Sequence, residues 1–230
     1  MARTDAEGDK GGEGRRPLKS RRTGWATRLL GLLLKTPLSA NQISAIGILF
    51  AGAGAAAILW APQAPSLWLL GALFIQLRLL ANMMDGLVAV EGGRGSAVGG
   101  LWNEVPDRLE DSLFFVAAGY AVGLSWLGWL AALLAACAAY IRLLGGTLDL
   151  GQDFRGPMAK PQRMAALTLA CVLATIEAWI FASQYAPITL LALIALGTVA
   201  TLVRRIGRQG LLLSRRATVV TTEERDDRRS

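Results

Sequence analysis

The sequence predicts an all-α fold, a bundle of six transmembrane helices preceded by an N-terminal interfacial amphipathic helix. Two observations carry that prediction: 53% of the 230 residues are hydrophobic, and they are gathered into runs long enough to cross a bilayer core of about 30 Å, which takes roughly 20 helical residues. A third concerns charge. The net charge is +7 with no histidine, yet Lys and Arg flank the apolar runs instead of covering one polar domain. Anionic headgroups of membrane lipids are therefore the expected counter-charge, and no nucleic acid partner is expected.

The six runs are 43–61, 67–90, 107–123, 126–144, 164–183 and 188–203. Six crossings leave both termini on one side. The turns at 62–66, 124–125 and 184–187 lack Lys and Arg, whereas the other connections hold Arg94, Arg108, Arg155, Lys160 and Arg163, and the tails hold Arg15, Arg16, Lys19, Arg204, Arg205 and Arg208. By the positive-inside rule the termini and the charged loops face the cytoplasm, in a multi-pass integral membrane protein. Residues 1–15 read as a disordered tail and 16–36 as a juxtamembrane helix. In the latter, Trp25, Leu29, Leu32 and Leu33 recur at helical spacing among Arg21, Arg22, Arg28 and Lys35, a pattern that lies on a membrane surface. A short segment that merely orients the first crossing accounts for it equally well. Residues 37–207 form the transmembrane domain, and 208–230 a solvated cytoplasmic tail of mixed charge. Cys137 and Cys171 lie inside apolar runs and are assigned to packing, since zinc would need two further soft ligands. The basic start lacks the apolar core of a cleavable secretory signal.

Ionisable groups within the runs are costly, roughly 2.5–3.5 kcal/mol each at mid-helix on an insertion scale, and here they gather at one depth. Asn82 and Asp85 close the second run three residues apart, hence on one helical face; Asp107 and Asp111 open the third four residues apart, again on one face. Joined by a short loop, the two faces are expected to meet. Four oxygen-bearing side chains without His or Cys suit Mg2+, Mn2+ or Ca2+ rather than zinc. Two simpler accounts compete: Asp107 could complement the positive end of a helix that starts at Pro106, and Asp85 could pair with Arg78 two turns earlier.

The stretch Asp85-Gly86-Leu87-Val88-Ala89, followed by Asp107-x-x-x-Asp111, resembles the signature of the CDP-alcohol phosphatidyltransferases, D-x-x-D-G-x-x-A-R and then G-x-x-x-D-x-x-x-D. Asn82 stands at the first aspartate, Val90 at the arginine and Asn103 at the second glycine. The resemblance extends over 36–205. It implies a homodimer in phospholipid biosynthesis, holding one or two Mg2+ or Mn2+ ions and transferring a phosphatidyl or phospho-alcohol group from a CDP-linked donor such as CDP-diacylglycerol to a hydroxyl acceptor, with release of CMP. It further implies metal ligation by Asn82, Asp85, Asp107 and Asp111, catalysis by Asp111 and Asp107, and close packing of the nucleotide on Gly86 and Ala89. Asn82 removes one negative charge and weakens the hold on a second metal. Arg94, in the glycine-rich loop 92–100, is a candidate for the missing arginine contact. The basic segment 156–163, with Lys160 and Arg163, resembles the stretch that handles a lipid or acceptor phosphate, and Arg142 and Arg155 extend it. These substitutions motivate a second reading, a non-catalytic lipid- or nucleotide-binding scaffold of the same fold. A transporter has less support, because no inverted repeat is evident and the charges lie at one end; Glu177, near the outer end of the fifth run, is the exception.

Overall fold

The computed structural model describes residues 23–227, with side chains as far as 218. Among them the chain is all helical: α1 (Gly24–Leu34), α2 (Ala40–Trp60), α3 (Ser66–Val90), α4 (Gly99–Ala121), α5 (Ser125–Thr147), α6 (Lys160–Phe181) and α7 (Tyr185–Asp227). Five of these, α2, α3, α5, α6 and α7, are long and apolar enough to cross a membrane. Of the six expected crossings these are five; the expected third falls on α4, a helix of similar length that carries Glu104, Asp107, Arg108, Glu110 and Asp111 and is not apolar enough to be counted with them.

Local chemistry explains most boundaries. Ser39 and Gln42 close a capping box at the start of α2, the Ser39 hydroxyl accepting from the Gln42 amide and the Gln42 side chain accepting from the Ser39 amide. Pro161 occupies the first turn of α6, where its missing N–H costs nothing. Glu177 accepts from the Ser183 hydroxyl at 2.6 Å and from the Tyr185 and Ala186 amides, both at 2.8 Å, so it serves the otherwise unpaired N–H groups that open α7. Two boundaries differ from expectation. α4 begins at Gly99, two turns before Pro106, which lies inside the helix. α7 continues unbroken through 203, so the described part of the expected tail is helical. At 1.5 Å per residue its 43 residues reach about 65 Å, beyond a bilayer core of about 30 Å. In the juxtamembrane region helix forms only from Gly24, with Ala26 and Leu30 buried and Trp25 half exposed; residues 1–22 lie outside the described part.

Small residues set the helix spacing. A Cβ on Gly119 of α4 would lie 2.6 Å from the Gly128 Cα of α5, and one on Gly71 of α3 would lie 2.5 Å from Ile58 Cγ1 of α2. Such close backbone approach is how helices gain packing energy where lipid removes the hydrophobic drive between them. One apolar core, around Trp68, Ile75, Phe114, Phe115, Leu167 and Ile194, fills the end of the bundle away from the charges. A second joins α1 to α2 and α3 through Leu30, Ile43, Met84 and Val88. α2 packs against both α3 and α4, while α6 packs on α3 and α5 on α4. Alternating helix direction therefore brings the end of α3, the start of α4, the end of α5 and the start of α6 to one end of the molecule.

Candidate functional site

On α3, Arg78, Asn82 and Asp85 share a face at successive turns, and on α4 so do Asn103, Asp107, Glu110 and Asp111. The two helices touch little directly, and their polar faces meet through the reach of Arg78. Its side chain has no solvent exposure. Arg78 Nε donates to Glu110 Oε2 at 2.5 Å, and Nη2 donates to Asp111 Oδ1 at 2.7 Å and Asp107 Oδ1 at 3.3 Å. The competing account that paired Arg78 with Asp85 is thereby replaced: its partners are the acids of α4. Asp85 instead accepts on Oδ2 from the Ser44 hydroxyl of α2 at 2.7 Å.

Asp107 is the most contested group. Besides Arg78, its Oδ1 accepts from Asn82 Nδ2 at 2.5 Å and carries the Lys160 ammonium, while Oδ2 accepts from Arg108 at 3.2 Å. Because α4 starts two turns earlier, Asp107 does not cap a helix terminus, and the macrodipole account of it falls away. Asp111, with almost no solvent exposure, also lies 3.7 Å from Arg163 Nη2. Four buried carboxylates, Asp85, Asp107, Glu110 and Asp111, thus stand among four side-chain cations, Arg78, Arg108, Lys160 and Arg163. Three of these acids, Asp107, Glu110 and Asp111, take their counter-charge from the chain itself, while Asp85 has a hydroxyl beside it and no cation.

Beside this network opens a cavity of about 490 Å3. Asn82, Gly86, Asn103 and Asp107 form part of its wall, the cations Arg108, Arg142, Lys160, Arg163 and Arg205 another, and Trp25, Leu79, Leu80, Met83 and Ala139 an apolar side. Arg142 is held by Glu104, to which Nη2 donates at 2.7 and 2.6 Å, and by Phe154, whose ring centre lies 5.3 Å from the guanidinium carbon. Of the expected site residues, Asn82, Gly86, Asp107, Arg142, Lys160 and Arg163 line this cavity. Asp85 and Asp111 lie buried behind it, and Ala89 packs against the core of α1 to α3. Arg94 points elsewhere. It donates to the carbonyls of Leu34, Thr36 and Leu38, closing the connection between α1 and α2. Asn103, expected only as a lost glycine, lines the cavity one turn before Asp107. Arg78, Glu110 and Arg205 were given no role in the expected site; in the sequence, Arg78 shows itself as a charge in the middle of an apolar run.

The donor set does not fit a pair of divalent ions. Of the amide and carboxylate side chains that line the cavity, Gln76, Asn82 and Asn103 are amides, Glu104 is paired with Arg142, and both oxygens of Asp107 are taken by cations or by the Asn82 amide. Among the described residues no three His, Cys, Asp or Glu side chains are grouped to hold a metal. The unmet valences point the other way. Arg78 Nη1, Arg108 Nε and Arg163 Nε are buried without hydrogen-bond partners, against a single carboxylate oxygen, Asp85 Oδ1, that accepts from no side chain.

No protein-family model matches this chain, and no curated protein matches it in sequence. Solved structures do match in shape. Mycobacterium tuberculosis phosphatidylinositol phosphate synthase with CDP-DAG bound superimposes with a TM-score of 0.66 at 21% identity, covering 80% of this chain and 92% of that one. The same synthase in complex with manganese and citrate gives 0.67 at 21% identity, covering 80% and 88%; its apo form gives 0.63 at 21% identity, covering 78% and 93%. The helical arrangement built above is therefore the fold of that synthase.

Proposed function

We propose that this chain is a membrane-embedded phosphotransferase that takes a phosphatidyl or phospho-alcohol group from a CDP-linked lipid donor to a hydroxyl acceptor and releases CMP. The observation that carries this reading is the cavity itself. One side is apolar and continuous with membrane-facing helices, and the other holds five cations against Glu104 and Asp107. That pairing suits an amphiphile with an anionic diphosphate head. The fold shared with a synthase crystallised with CDP-DAG supports the donor class.

Asp107 is the proposed base, because it is the aspartate on the cavity wall. In the transfer, the acceptor hydroxyl oxygen forms a bond to phosphorus and the bond from phosphorus to the bridging oxygen of CMP breaks. The electron pair leaves with CMP, and the hydroxyl proton passes to Asp107. The catalytic role first expected of Asp111 is better given to this residue, since Asp111 lies buried behind the cavity and does not line it. A four-residue shift of register supports the change. Gly99-x-x-x-Asn103-x-x-x-Asp107 fits the second half of the signature with its glycine kept and its first aspartate as an asparagine, mirroring Asn82 in the first half. Gly86 on the wall leaves room for close approach of the ligand. By the positive-inside rule the site and both termini are cytoplasmic, and a homodimer is the assembly that the resemblance implies.

The test is direct. Purified protein in lipid nanodiscs, given CDP-diacylglycerol and a panel of alcohols and phospho-alcohols with and without Mn2+, should release CMP, and Asp107→Asn should slow release by roughly 10^2 to 10^4-fold, the usual worth of a general base. No CMP release with any acceptor in either condition would sink the proposal. The two asparagines favour one rival, a scaffold that binds CDP-linked lipid without turnover; tight CDP-diacylglycerol binding with no CMP release is its signature.

A further inference from the structure

We infer that this site works without a divalent ion, the Lys160 ammonium on Asp107 and the Arg78 guanidinium behind it supplying the positive charge that a diphosphate substrate demands. The inference deepens the proposed phosphotransferase and rests on it for the identity of the substrate, though not for the state of the site.

Three independent observations lead there. The first is charge pairing: of the four buried carboxylates, Asp107, Glu110 and Asp111 are held within 4 Å by Arg78, Arg108, Lys160 and Arg163. A divalent ion there finds only Asp85 without a cation beside it, and it must displace Lys160 and Arg78 to reach Asp107 Oδ1. The second is the pair of amides. Asn82 Nδ2 donates to Asp107; an aspartate there would set two like charges in contact, a repulsion that a bound cation relieves. Amides at both Asn82 and Asn103 remove that need and with it the charge that gives hard-metal sites their affinity. The third is the kind of group left unmet: three guanidinium nitrogens, Arg78 Nη1, Arg108 Nε and Arg163 Nε, against one carboxylate oxygen, Asp85 Oδ1. Arg108 and Arg163 also line the cavity, so the unmet donors favour an anion over a metal ion as its occupant.

Lys160 is well placed for this duty. It is the first residue of α6, and its neighbours Asp107 and Arg163 also face the cavity. When the acceptor oxygen bonds to phosphorus and CMP departs, the charge that collects on the leaving phosphate faces an ammonium and several guanidinium groups of fixed position, which is the electrostatic help that phosphoryl transfer needs.

Manganese binding measured by electron paramagnetic resonance on the purified chain in detergent decides the matter without reference to turnover. The expected result is no stoichiometric Mn2+ bound to the wild-type chain, and a gain of at least tenfold in affinity for Asn82→Asp, Asn103→Asp, Lys160→Met combined. One tightly held Mn2+ per wild-type chain, lost in Asp85→Asn, overturns the inference whether or not the combined variant folds. In parallel, CDP-diacylglycerol binding in excess chelator should weaken at least tenfold in Lys160→Met, and CMP release by the wild type should survive chelation. CMP release that appears only with added Mn2+ overturns the inference and leaves the transferase reading standing. Neither CDP-diacylglycerol binding nor CMP release in any condition removes the transferase reading, while the manganese measurement still decides whether the site holds a metal.

Discussion

Arg78 holds the α4 carboxylates together, and its fate should dominate any mutational series at this site. Its charge is completely buried and shared by Asp107, Glu110 and Asp111. Arg78→Leu leaves those acids short of a counter-charge, a change that costs about 3–5 kcal/mol where a buried pair is broken from one side. Thermal unfolding in detergent should show a large drop for Arg78→Leu and a smaller one for Arg78→Lys, which keeps the charge but loses the forked geometry. Equal stability of Arg78→Leu and wild type would mean that the network contributes nothing. Spacing alone allowed Arg78 to serve Asp85, two turns away on the same face. It does not, because Ser44 on α2 satisfies Asp85 from one side while α4 presents three acids on the other. Sequence could name both partners but not choose between helices that are distant in the chain.

At the scale of elements, α4 departs most from expectation and carries the most chemistry. Its start at Gly99 moves Asp107 from a helix end to the third turn and brings Asn103 onto the cavity wall. Proline favours the first turn of a helix in general, and the seven charged and polar residues within 102–112 hide the start of α4 from a reading based on apolar runs. The α4 to α5 crossing depends on Gly119 and Gly128. Gly119→Ala should destabilise by about 1–3 kcal/mol through overpacking, read as a lower midpoint of thermal unfolding. Gly100→Ala, in the same helix with open space at its Cβ position, should be neutral or slightly stabilising on helix propensity. The same response from both would show that α4 and α5 do not approach as closely as described. Glu177, an exception to the charge pattern, finds its role at this scale too: it caps α7 and needs no place on a transport path.

For the whole molecule, the division into an apolar end and a charged end sets the orientation that the positive-inside rule predicts in a membrane. The uncharged turns lie at one end and the cavity, with Lys160, Arg163, Arg142 and Arg205, at the other. In a background lacking Cys137 and Cys171, a cysteine at Ala64 should react with a membrane-impermeant maleimide on intact cells, and one at Gly93 only after permeabilisation. The reverse pattern would place the cavity outside and contradict the positive-inside assignment.

Hydropathy and charge position determined the class of this protein, because a bilayer imposes helix length, internal hydrogen bonding and cationic flanks on any chain that crosses it. They also gathered Asn82, Asp85, Asp107 and Asp111 at one depth, since ionisable groups in apolar runs are too costly to be incidental, while Lys160 and Arg163 entered through the basic segment before the fifth run. What only the tertiary structure decided is which charge answers which. Electrostatic pairing depends on distance and burial across helices, and the sequence holds neither, so only the structure places Arg78, Lys160 and Arg163 against Asp107, Glu110 and Asp111.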